Sequence, residues 1–563
     1  MNCRKGLFMT NLTMTKNMTN MTKKTMTKLT SGREQKIKAE LIGNDVKVLY
    51  EITSGNLFKS LDFDGNGTIL KKDIIMALKS RGILLTDPRI AETVEKLQHF
   101  KDMEAINPKQ FHDVIVQNIT LIERALKGEL IIPDFPTMTS KIKEIFETVR
   151  GNKSGSLPDY IPQLERVNPE YYAISVCTVD GQQFHLGDHN IPYTVQSTTK
   201  PINYSIALEE FGEAKVHSHI GREPSGRGFN ELTLNKDGLP HNPMINAGAI
   251  MSCSLVRPDL NISDRFDHVL SVWTKLAGGR EVSFNNSIYL SEKQTADRNF
   301  ALSYFMRENG SFPEGTDMLE VLDFYFQCCS IQLDCESHSI VAGTLANAGI
   351  CPITRERVFS PTTTKNCLSL MYSCGMYDFS GEFSFTVGIP AKSGVSGSLV
   401  VVVPGMCGIT IWSPPLDDYG NSVRAVDICG RLVETFNFHN YDNLIPDLNK
   451  IDPRLQKNEN KMNGIMVANF AASQGDLNEL KSLKVKGVDL NEADYDGRTP
   501  IHIAASEGHK NIVEYFILEG LDLNPKDRWG GTPLEDAKRH NHDAVVAILN
   551  TEINKNKKKE PKV

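Results

Sequence analysis

A repeat of 33 residues near the C-terminal end constrains the fold of this 563-residue chain more than any other sequence feature. Thr499-Pro500 recurs as Thr532-Pro533, and Ala471-Ala472 recurs as Ala504-Ala505 at the same spacing. A fixed period of this length indicates small helical units that bury their apolar faces against one another. The sequence therefore predicts a stacked helical array in the C-terminal part of the chain.

The period and the Thr-Pro at each helix start are typical of ankyrin repeats. We predict three units, the first degenerate, over residues 465–550, after a charged linker at 449–464 and before a basic tail at 551–563. Two uses of so short an array stay open: binding a protein partner, or docking on its own chain to help assembly. The lysine-rich tail is expected to be solvated and, alone, to bind nucleic acid weakly.

Composition excludes several classes of protein. With 62 Lys and Arg against 69 Asp and Glu, the formal charge is −7, so no overall field favours nucleic acid. The most apolar stretch, Leu399–Trp412, is shorter than the ~18 to 20 residues that a membrane span needs. Pro404-Gly405 interrupts it, which predicts two antiparallel strands of a buried hairpin. The 11 cysteines form no C-x-x-C pair, which favours a reducing compartment.

Residues 1–33 differ from the rest of the chain. They are rich in Met, Thr, Asn and Lys, and the first acidic residue is Glu34. A basic, hydroxyl-rich leader without acids or an apolar core is typical of mitochondrial import rather than of secretion. We therefore predict a transit peptide and a mitochondrial location. The alternative is a disordered low-complexity tail on a cytoplasmic protein.

A calcium-binding loop is predicted within an EF-hand-like helical region at 34–128. A loop with Gly67 at its sharp turn places oxygen-bearing residues at the positions that an EF-hand uses. Its candidate ligands are Asp62, Asp64, Asn66, Thr68 and Asp73. Asp73 is one methylene shorter than the usual glutamate, and Leu70 offers no side-chain oxygen, so calcium affinity would be weak. A helix-loop-helix retained for packing, without metal, is the alternative.

Two short motifs in the central block, 129–448, predict serine-hydrolase chemistry. Ser197-Thr198-Thr199-Lys200 opens a predicted helix, which places Ser197 Oγ and Lys200 Nζ on one face. Lys392-Ser393-Gly394 leads into the predicted hairpin. Penicillin-binding proteins and class A β-lactamases combine S-x-x-K on a helix with K-[ST]-G on a strand. By itself, S-x-x-K also arises by chance, as a capping serine followed by a surface lysine.

The second motif suggests how the lysine base becomes neutral. Lys392 near Lys200 would disfavour a second ammonium, so that Lys200 could take a proton from Ser197. The S-D-N element of such enzymes is missing, since Tyr441-Asp442-Asn443 follows Lys392 and is a chance match. We predict an α/β (α+β) domain of β-lactamase and penicillin-binding type, an antiparallel sheet with helices, flanked by two helical modules.

Beyond these motifs, the central block resembles the serine-dependent glutaminases, most closely the animal mitochondrial kidney and liver types. The helical region before it and the ankyrin repeats after it match the same family in the same order. The runs that carry the resemblance are Asp159–Leu164, Val176–Gly181, Gln196-Ser197, His241–Ile250, Asp297–Phe300, Cys374–Asp378 and Phe436–Asn443.

The resemblance implies hydrolysis of L-glutamine to L-glutamate and ammonia through an acyl-enzyme, with no cofactor required. It implies that Ser197 is the nucleophile, Lys200 its base, Tyr377 a proton relay and Tyr160 a residue that closes the pocket. The backbone N–H groups of Val395 and Ser197 would form the oxyanion hole. The implied substrate-binding set is Ser197, Asn246, Glu292, Asn299, Tyr325, Tyr377 and Val395.

These residue types suit a free amino acid as substrate. Glu292 matches an ammonium by charge, and amide and phenol donors match a carboxylate. Binding both ends fixes the side-chain amide at the serine, which favours glutamine over the shorter asparagine. Taken singly, Asn246 and Asn299 could instead be turn formers, and Tyr325 a core residue.

The resemblance also implies a homo-oligomer, a dimer or a tetramer, and activation by inorganic phosphate. In the family the segment 226–233 lies near a subunit interface and gates activity, but Glu231 and Thr233 depart from the basic and aromatic residues expected there. Two other functions stay open. One is a β-lactam-recognising serine hydrolase, and the other a non-catalytic scaffold that acts through its ankyrin repeats and calcium loop, in which Ser197→Ala changes nothing.

Overall fold

The computed structural model describes residues 50–62, 64–226, 231–444, 449–455, 457–485 and 488–559. Within those ranges the chain forms two compact units, a smaller one over 50–79 and 85–127 and a larger one over 80–84 and from 128 onwards. The predicted leader, 1–33, lies outside the described residues. No helix within the described ranges has both the length and the apolar character to cross a membrane.

The smaller unit is a pair of helix-loop-helix segments. Two short strands, β1 (Ile69–Leu70) and β2 (Ala105–Ile106), join the two loops in an antiparallel pair, with Ile69 opposite Ile106. The second segment was not anticipated, because its loop lacks the ligand pattern of the first. The helices are α1 (50–61), α2 (Lys71–Ser80), α3 (Ala91–Gln98), α4 (Pro108–Ile115) and α5 (Ile119–Lys127).

The larger unit is built on a five-stranded antiparallel sheet of order β4-β3-β10-β9-β8. β9 and β10 are the predicted hairpin, with Val403 opposite Cys407, so that prediction is confirmed. A small three-stranded sheet has the order β5-β7-β6. The strands are β3 (Ala173–Thr178), β4 (Gln183–Gly187), β5 (Tyr193–Thr194), β6 (Ser283–Phe284), β7 (Ile331–Leu333), β8 (Ala391–Gly394), β9 (Ser398–Val403) and β10 (Cys407–Trp412).

Helices cover both faces of the five-stranded sheet, which is why β9 is apolar at every position after Ser398. Leu399 and Val401 enter one core with α6 and α17, and Val400 and Val402 enter the other with α8, α9, α13 and α14. These helices and their neighbours are α6 (Phe135–Val149), α7 (Pro162–Glu165), α8 (Lys200–Val216), α9 (Asn246–Leu255), α10 (Ile262–Leu276), α11 (Asn286–Gln294), α12 (Asp297–Glu308), α13 (Met318–Cys329), α14 (Cys335–Ala346), α15 (Pro361–Cys374), α16 (Ser380–Thr386) and α17 (Val423–Thr435).

The C-terminal part of this unit contains the repeated helix pairs. Thr499 and Thr532 form capping boxes with His502 and Glu535, so Thr-Pro opens two helices as the period predicts. The first helix begins inside the predicted linker and the last continues through Lys559, inside the predicted tail. The helices are α18 (Lys457–Gln474), α19 (Leu477–Val485), α20 (Pro500–Ser506), α21 (Lys510–Leu518), α22 (Pro533–Arg539) and α23 (Asp543–Lys559).

Candidate active site

The predicted serine and lysine lie in contact at the start of α8. Ser197 is in a 3-10 turn, Gln196–Thr199, and α8 begins at Lys200. Lys200 Nζ lies 2.8 Å from Ser197 Oγ and 2.8 Å from Asn246 Oδ1. The Lys200 side chain is fully buried, and this burial lowers the pKa of Lys200 to about 8. A lysine in this state can exchange a proton with the serine near neutral pH.

The residue before the serine has a strained backbone that the sequence did not indicate. Gln196 has a φ of 47°, in the left-handed region that side-chain-bearing residues rarely adopt. Such a conformation costs about 1 to 3 kcal/mol and persists where the surroundings hold it. Here the buried Gln196 side chain places Nε2 3.4 Å from Glu292 Oε2. The turn therefore presents Ser197 to the cavity that contains Glu292.

Strand β8 lies directly against this turn because Gly394 has no side chain. A Cβ at Gly394 would lie 2.9 Å from the carbonyl oxygen of Val195 and 2.8 Å from Ser398 Oγ. The next residue, Val395, lines the same cavity as Ser197. Among the described residues, neither the N–H of Ser197 nor that of Val395 donates a backbone hydrogen bond outside the helices and strands.

The cavity has a volume of about 350 Å³, within the range of small-molecule sites. Its walls include every predicted substrate-binding residue except Tyr377, which lines a neighbouring cavity of about 470 Å³. Tyr160, with 52% of its surface exposed, also lines the smaller cavity. The structure thus brings Ser197, Asn246, Glu292, Asn299, Tyr325 and Val395 together.

An amide and a phenol on separate helices connect to the lysine. Asn246, at the start of α9, accepts at Oδ1 from Lys200 Nζ and, at 3.4 Å, from the Tyr325 hydroxyl. Its Nδ2 donates to Asn299 Oδ1 at 3.1 Å. Tyr325 is a core residue by burial, yet its hydroxyl reaches this network. These contacts place Asn246 between the base and the polar wall of the cavity.

Among the described residues that line this cavity, Glu292 is the one carboxylate. It lies on α11 with 8% of its surface exposed. Burial raises the pKa of Glu292 to about 7, and the Gln196 amide and the Lys200 amine oppose that rise. A cationic group entering the cavity would stabilise the ionised form.

Tyr377 has a second strained backbone, with a φ of 54°. Its hydroxyl donates to the carbonyl oxygen of Ser393 at 3.1 Å. Burial raises the pKa of Tyr377 above its ordinary value, and hydrogen bonding with Ser197 and Ser393 opposes the rise. Tyr377 is therefore a neutral phenol beside the serine.

The predicted cause of the lysine's neutrality is wrong. Burial, and not a charge on Lys392, is the main factor that lowers the pKa of Lys200. Instead, it is the pKa of Lys392 that the neighbouring lysine affects. Burial lowers this pKa well below its ordinary value, and the charge of Lys200 lowers it further. Because Lys392 is buried beneath the active site, its own ammonium is the less stable of the two.

The predicted calcium loop is organised by its own side chains. Gly67 N–H donates to Asp62 Oδ2 at 3.0 Å, and Asn66 Nδ2 donates to Asp64 Oδ2 at 2.7 Å. Among the residues the structure describes, no three His, Cys, Asp or Glu side chains form a group that could hold a metal ion. Calcium binding stays a prediction for Asp62, Asp64, Asn66, Thr68 and Asp73.

Comparison with known proteins identifies the family. The glutaminase family profile matches residues 155–441, and ankyrin-repeat and EF-hand profiles match 468–559 and 53–133. The liver isoform of mitochondrial glutaminase from Rattus norvegicus is 45% identical over 429 residues, which cover 76% of this chain and 71% of that protein. The chain belongs to the glutaminase family. A glutaminase of Trichormus variabilis is 39% identical over 321 residues, 57% of this chain and 95% of that protein.

Solved structures agree with this membership. A crystal structure of Mglu is 34% identical, with a TM-score of 0.52, and the match covers 54% of this chain and 76% of that one. The predictions of a glutaminase, of an amidohydrolase, and of a β-lactamase-like domain with EF-hand and ankyrin modules are confirmed. The family match does not favour a β-lactam hydrolase or a non-catalytic scaffold.

Among the described residues of the cavity wall, the sequence did not identify six as site residues: Ile161, Gln196, Thr295, Ala296, Arg298 and Cys329. Gln196 and Arg298 each precede a predicted residue within a run that carries the family resemblance, so their position was a usable signal. Cys329 lies at the end of α13, in an apolar segment that reads as core.

Proposed function

We propose that this glutaminase hydrolyses the side-chain amide of L-glutamine through a γ-glutamyl ester on Ser197. The observation that carries the proposal is the 2.8 Å contact between Ser197 Oγ and the buried Lys200 Nζ at the cavity. With a pKa of about 8, roughly one Lys200 in ten is neutral at pH 7, and this form accepts the serine proton.

In the first step, Ser197 Oγ bonds to the amide carbon while its proton passes to Lys200. The carbonyl oxygen becomes an oxyanion, which the N–H groups of Ser197 and Val395 receive. Support for this role is that, among the described residues, neither N–H donates a backbone hydrogen bond outside the helices and strands, and that both residues line the cavity. Losing one such donor typically costs about 3 to 4 kcal/mol of transition-state stabilisation.

Collapse of the tetrahedral intermediate breaks the carbon–nitrogen bond. The leaving nitrogen takes the proton that Lys200 received, with the neutral Tyr377 phenol as relay, and departs as ammonia. Water then attacks the ester, Lys200 accepts a proton from it, and cleavage of the ester returns that proton to Ser197. The sum is glutamine and water converted to glutamate and ammonia.

Recognition of the amino-acid end follows from charge. Glu292 binds the α-ammonium, and Asn246, Asn299 and Tyr325 hold the α-carboxylate. Tyr160 covers the substrate at the opening. With both ends held, the amide of glutamine reaches Ser197, and the amide of asparagine falls about one methylene short.

The test is ammonia release from L-glutamine and L-asparagine by the full chain, Ser197→Ala and Lys200→Met. Ser369→Ala and Lys365→Met, on the exposed face of α15, are the matched controls. We expect hydrolysis of glutamine, little hydrolysis of asparagine, loss of activity in the two site variants and full activity in the controls. Activity that survives Ser197→Ala would exclude the ester, and equal use of asparagine would exclude the assigned recognition.

We also propose that the protein is mitochondrial and oligomeric and that inorganic phosphate activates it. Support for the location is that the rat and mouse relatives are named as mitochondrial. Support for the oligomer and for phosphate is the family resemblance, although residues 227–230 of the gating segment lie outside the described residues. Cell fractionation tests the location, and light scattering and turnover with and without phosphate test the other two. A protein partner at the ankyrin repeats stays a prediction.

We further propose that the loop from Asp62 to Asp73 is where calcium would bind, and weakly. The EF-hand profile and the pairing of Ile69 with Ile106 across the two loops support it. Titration of the full chain with calcium chloride, alongside Asp62→Asn, tests it. We expect heat of calcium binding in the parent protein and none in the variant. No heat in either protein would mean that the helix-loop-helix serves packing and does not bind calcium.

A further inference from the structure

Lys392 is a buried lysine that the proposed mechanism does not use. Its Nζ donates to the carbonyl oxygens of Gly375, at 3.1 Å, and Ser393, at 2.8 Å. It also lies 4.5 Å from the centre of the Tyr377 ring. The Tyr377 hydroxyl donates to the same Ser393 oxygen. The Lys392 amine thus has three contacts around Tyr377. They are the Gly375 carbonyl oxygen two residues before Tyr377, the face of the Tyr377 ring, and the Ser393 carbonyl oxygen that accepts from the Tyr377 hydroxyl.

The segment that carries Tyr377 needs support of this kind. A left-handed conformation at a tyrosine persists where neighbouring contacts hold it. Gly375 lies so close to β8 that a Cβ there would be 1.8 Å from the carbonyl oxygen of Ala391. The backbone N–H of Ser393 donates to the Gly375 oxygen at 3.1 Å. The end of α15 is therefore fixed to β8 by its backbone and by the Lys392 amine together.

We infer that Lys392 is a positioning residue that holds Tyr377 in its strained conformation, with the phenol beside Ser197, by bridging the Gly375 and Ser393 carbonyl oxygens beneath the ring. The inference rests on the proposed relay role of Tyr377. Two carbonyl acceptors need two N–H donors, and an uncharged amine has two, so the bridge does not require an ammonium. Lys392 therefore acts through Tyr377 rather than through its charge on Lys200.

A double-mutant cycle separates these two routes. Tyr377→Phe removes the relay, and we expect kcat to fall by about 10²-fold or more, since a positioned acid or base contributes that much. Lys392→Met should lower kcat by about 10-fold or more with KM changed by less than about 3-fold. The double variant should be no slower than Tyr377→Phe within about 3-fold, because both changes remove the same contribution. Lys365→Met is the lysine control.

The pH profile provides a second readout. Because burial sets the state of Lys200, the rise of kcat/KM with pH should occur at the same pH in Lys392→Met as in the parent protein. A profile displaced by about one unit, or losses that multiply in the double variant, would overturn the inference and leave the proposed function standing. Full activity of Tyr377→Phe would overturn both the relay step and the inference.

If Lys392→Met does not fold, Lys392→Gln replaces it, since its amide keeps two N–H donors on a shorter side chain. This variant should lower kcat in the parent background. In the Tyr377→Phe background it should change kcat by less than about 2-fold. An equal loss in both backgrounds would show that Lys392 does not act through Tyr377.

Discussion

In the ankyrin repeats, half-buried histidines find their partners at a regular sequence distance, whereas in the catalytic pocket buried polar groups find theirs through the tertiary fold. His509 Nε2 pairs with the Ser473 carbonyl and His542 Nε2 with the Ser506 carbonyl, each at 2.9 Å and each 36 residues back. In the pocket, Lys200 reaches an asparagine 46 residues away. The repeats therefore use the same histidine-to-carbonyl hydrogen bond twice, whereas the pocket contact joins residues that no regular spacing relates.

The two regions also differ in how much unfavourable structure they contain. The pocket combines a buried lysine, a buried glutamate and strained backbones at Gln196 and Tyr377. The repeats rely on capping boxes and apolar packing; their buried Asp536 is paired with Arg498 and Arg539, and the left-handed φ of 61° at Asn541 falls on a residue type that tolerates it. Buried charge and backbone strain lower stability. In the pocket they also keep part of the Lys200 amine neutral and orient the Ser197 hydroxyl. Changes in the pocket should therefore affect turnover most, and changes in the repeats should affect stability alone.

The largest expected effect is that of Ser197→Ala. Removing the nucleophile should lower kcat for glutamine by about 10⁴-fold or more while the melting temperature stays within about 2 °C. Kinetics and thermal unfolding on the same preparation check this. A drop in stability as large as that of a core variant would show that the serine is structural, and the contrast between the two regions would fail.

Gly394→Ala should come next. The new Cβ would press on the Val195 carbonyl oxygen, so β8 must move away from the turn that carries Ser197 and the oxyanion hole must widen. We expect kcat to fall by about 10²-fold or more, comparable to the loss of one oxyanion donor. Gly430→Ala, which meets nothing within 4 Å, is the matched control and should keep full activity.

Glu292→Gln should bind substrate poorly yet stabilise the fold. The folded pKa of about 7 exceeds the ordinary 4.5, so stability is lost as pH rises from 4.5 through 7. Removing the carboxylate should therefore add about 3 kcal/mol of unfolding free energy at pH 8 and about 1 or less at pH 5. Denaturant unfolding at both pH values measures it. An equal change at both pH values would mean that folding does not raise the pKa of Glu292.

The pH dependence of turnover should show both groups. The pKa of about 8 for Lys200 predicts that kcat/KM rises about fivefold between pH 7 and pH 8, as the neutral amine accumulates. The pKa of about 7 for Glu292 predicts that KM also rises as pH falls below 7. Initial rates from pH 6 to 9 check both. A profile flat below pH 8 would contradict a lysine base.

Thr499→Ala should have the smallest effect. It removes one capping box of the repeats, at a typical cost of about 1 kcal/mol of stability. Catalytic constants for glutamine should stay unchanged. Thermal unfolding and kinetics on one preparation decide the matter, and altered turnover would show that the repeats influence the pocket.

The same contrast explains what could be predicted from the amino-acid sequence. The repeats and the β9–β10 hairpin follow local period and turn residues, and they were predicted correctly. The serine–lysine contact follows from helical spacing and was also predicted. These features depend on neighbours along the chain, which a sequence displays directly.

The unpredicted features depend on the tertiary fold. A positive φ at Gln196 or Tyr377 cannot be read from residues that seldom adopt it. The low pKa of Lys200 was expected, but burial, which causes it, is a property of the packed core. The role inferred for Lys392 depends on a carbonyl oxygen 17 residues earlier in the chain, which no spacing rule connects to it.

The most direct test of the central claim is the mass of the full chain quenched in acid during turnover of L-glutamine. We predict that a fraction of the protein gains one γ-glutamyl group, located by peptide mapping on Ser197 and absent from Ser197→Ala. A γ-glutamyl group on another residue, or ammonia release by Ser197→Ala at the parent rate, would contradict the serine ester.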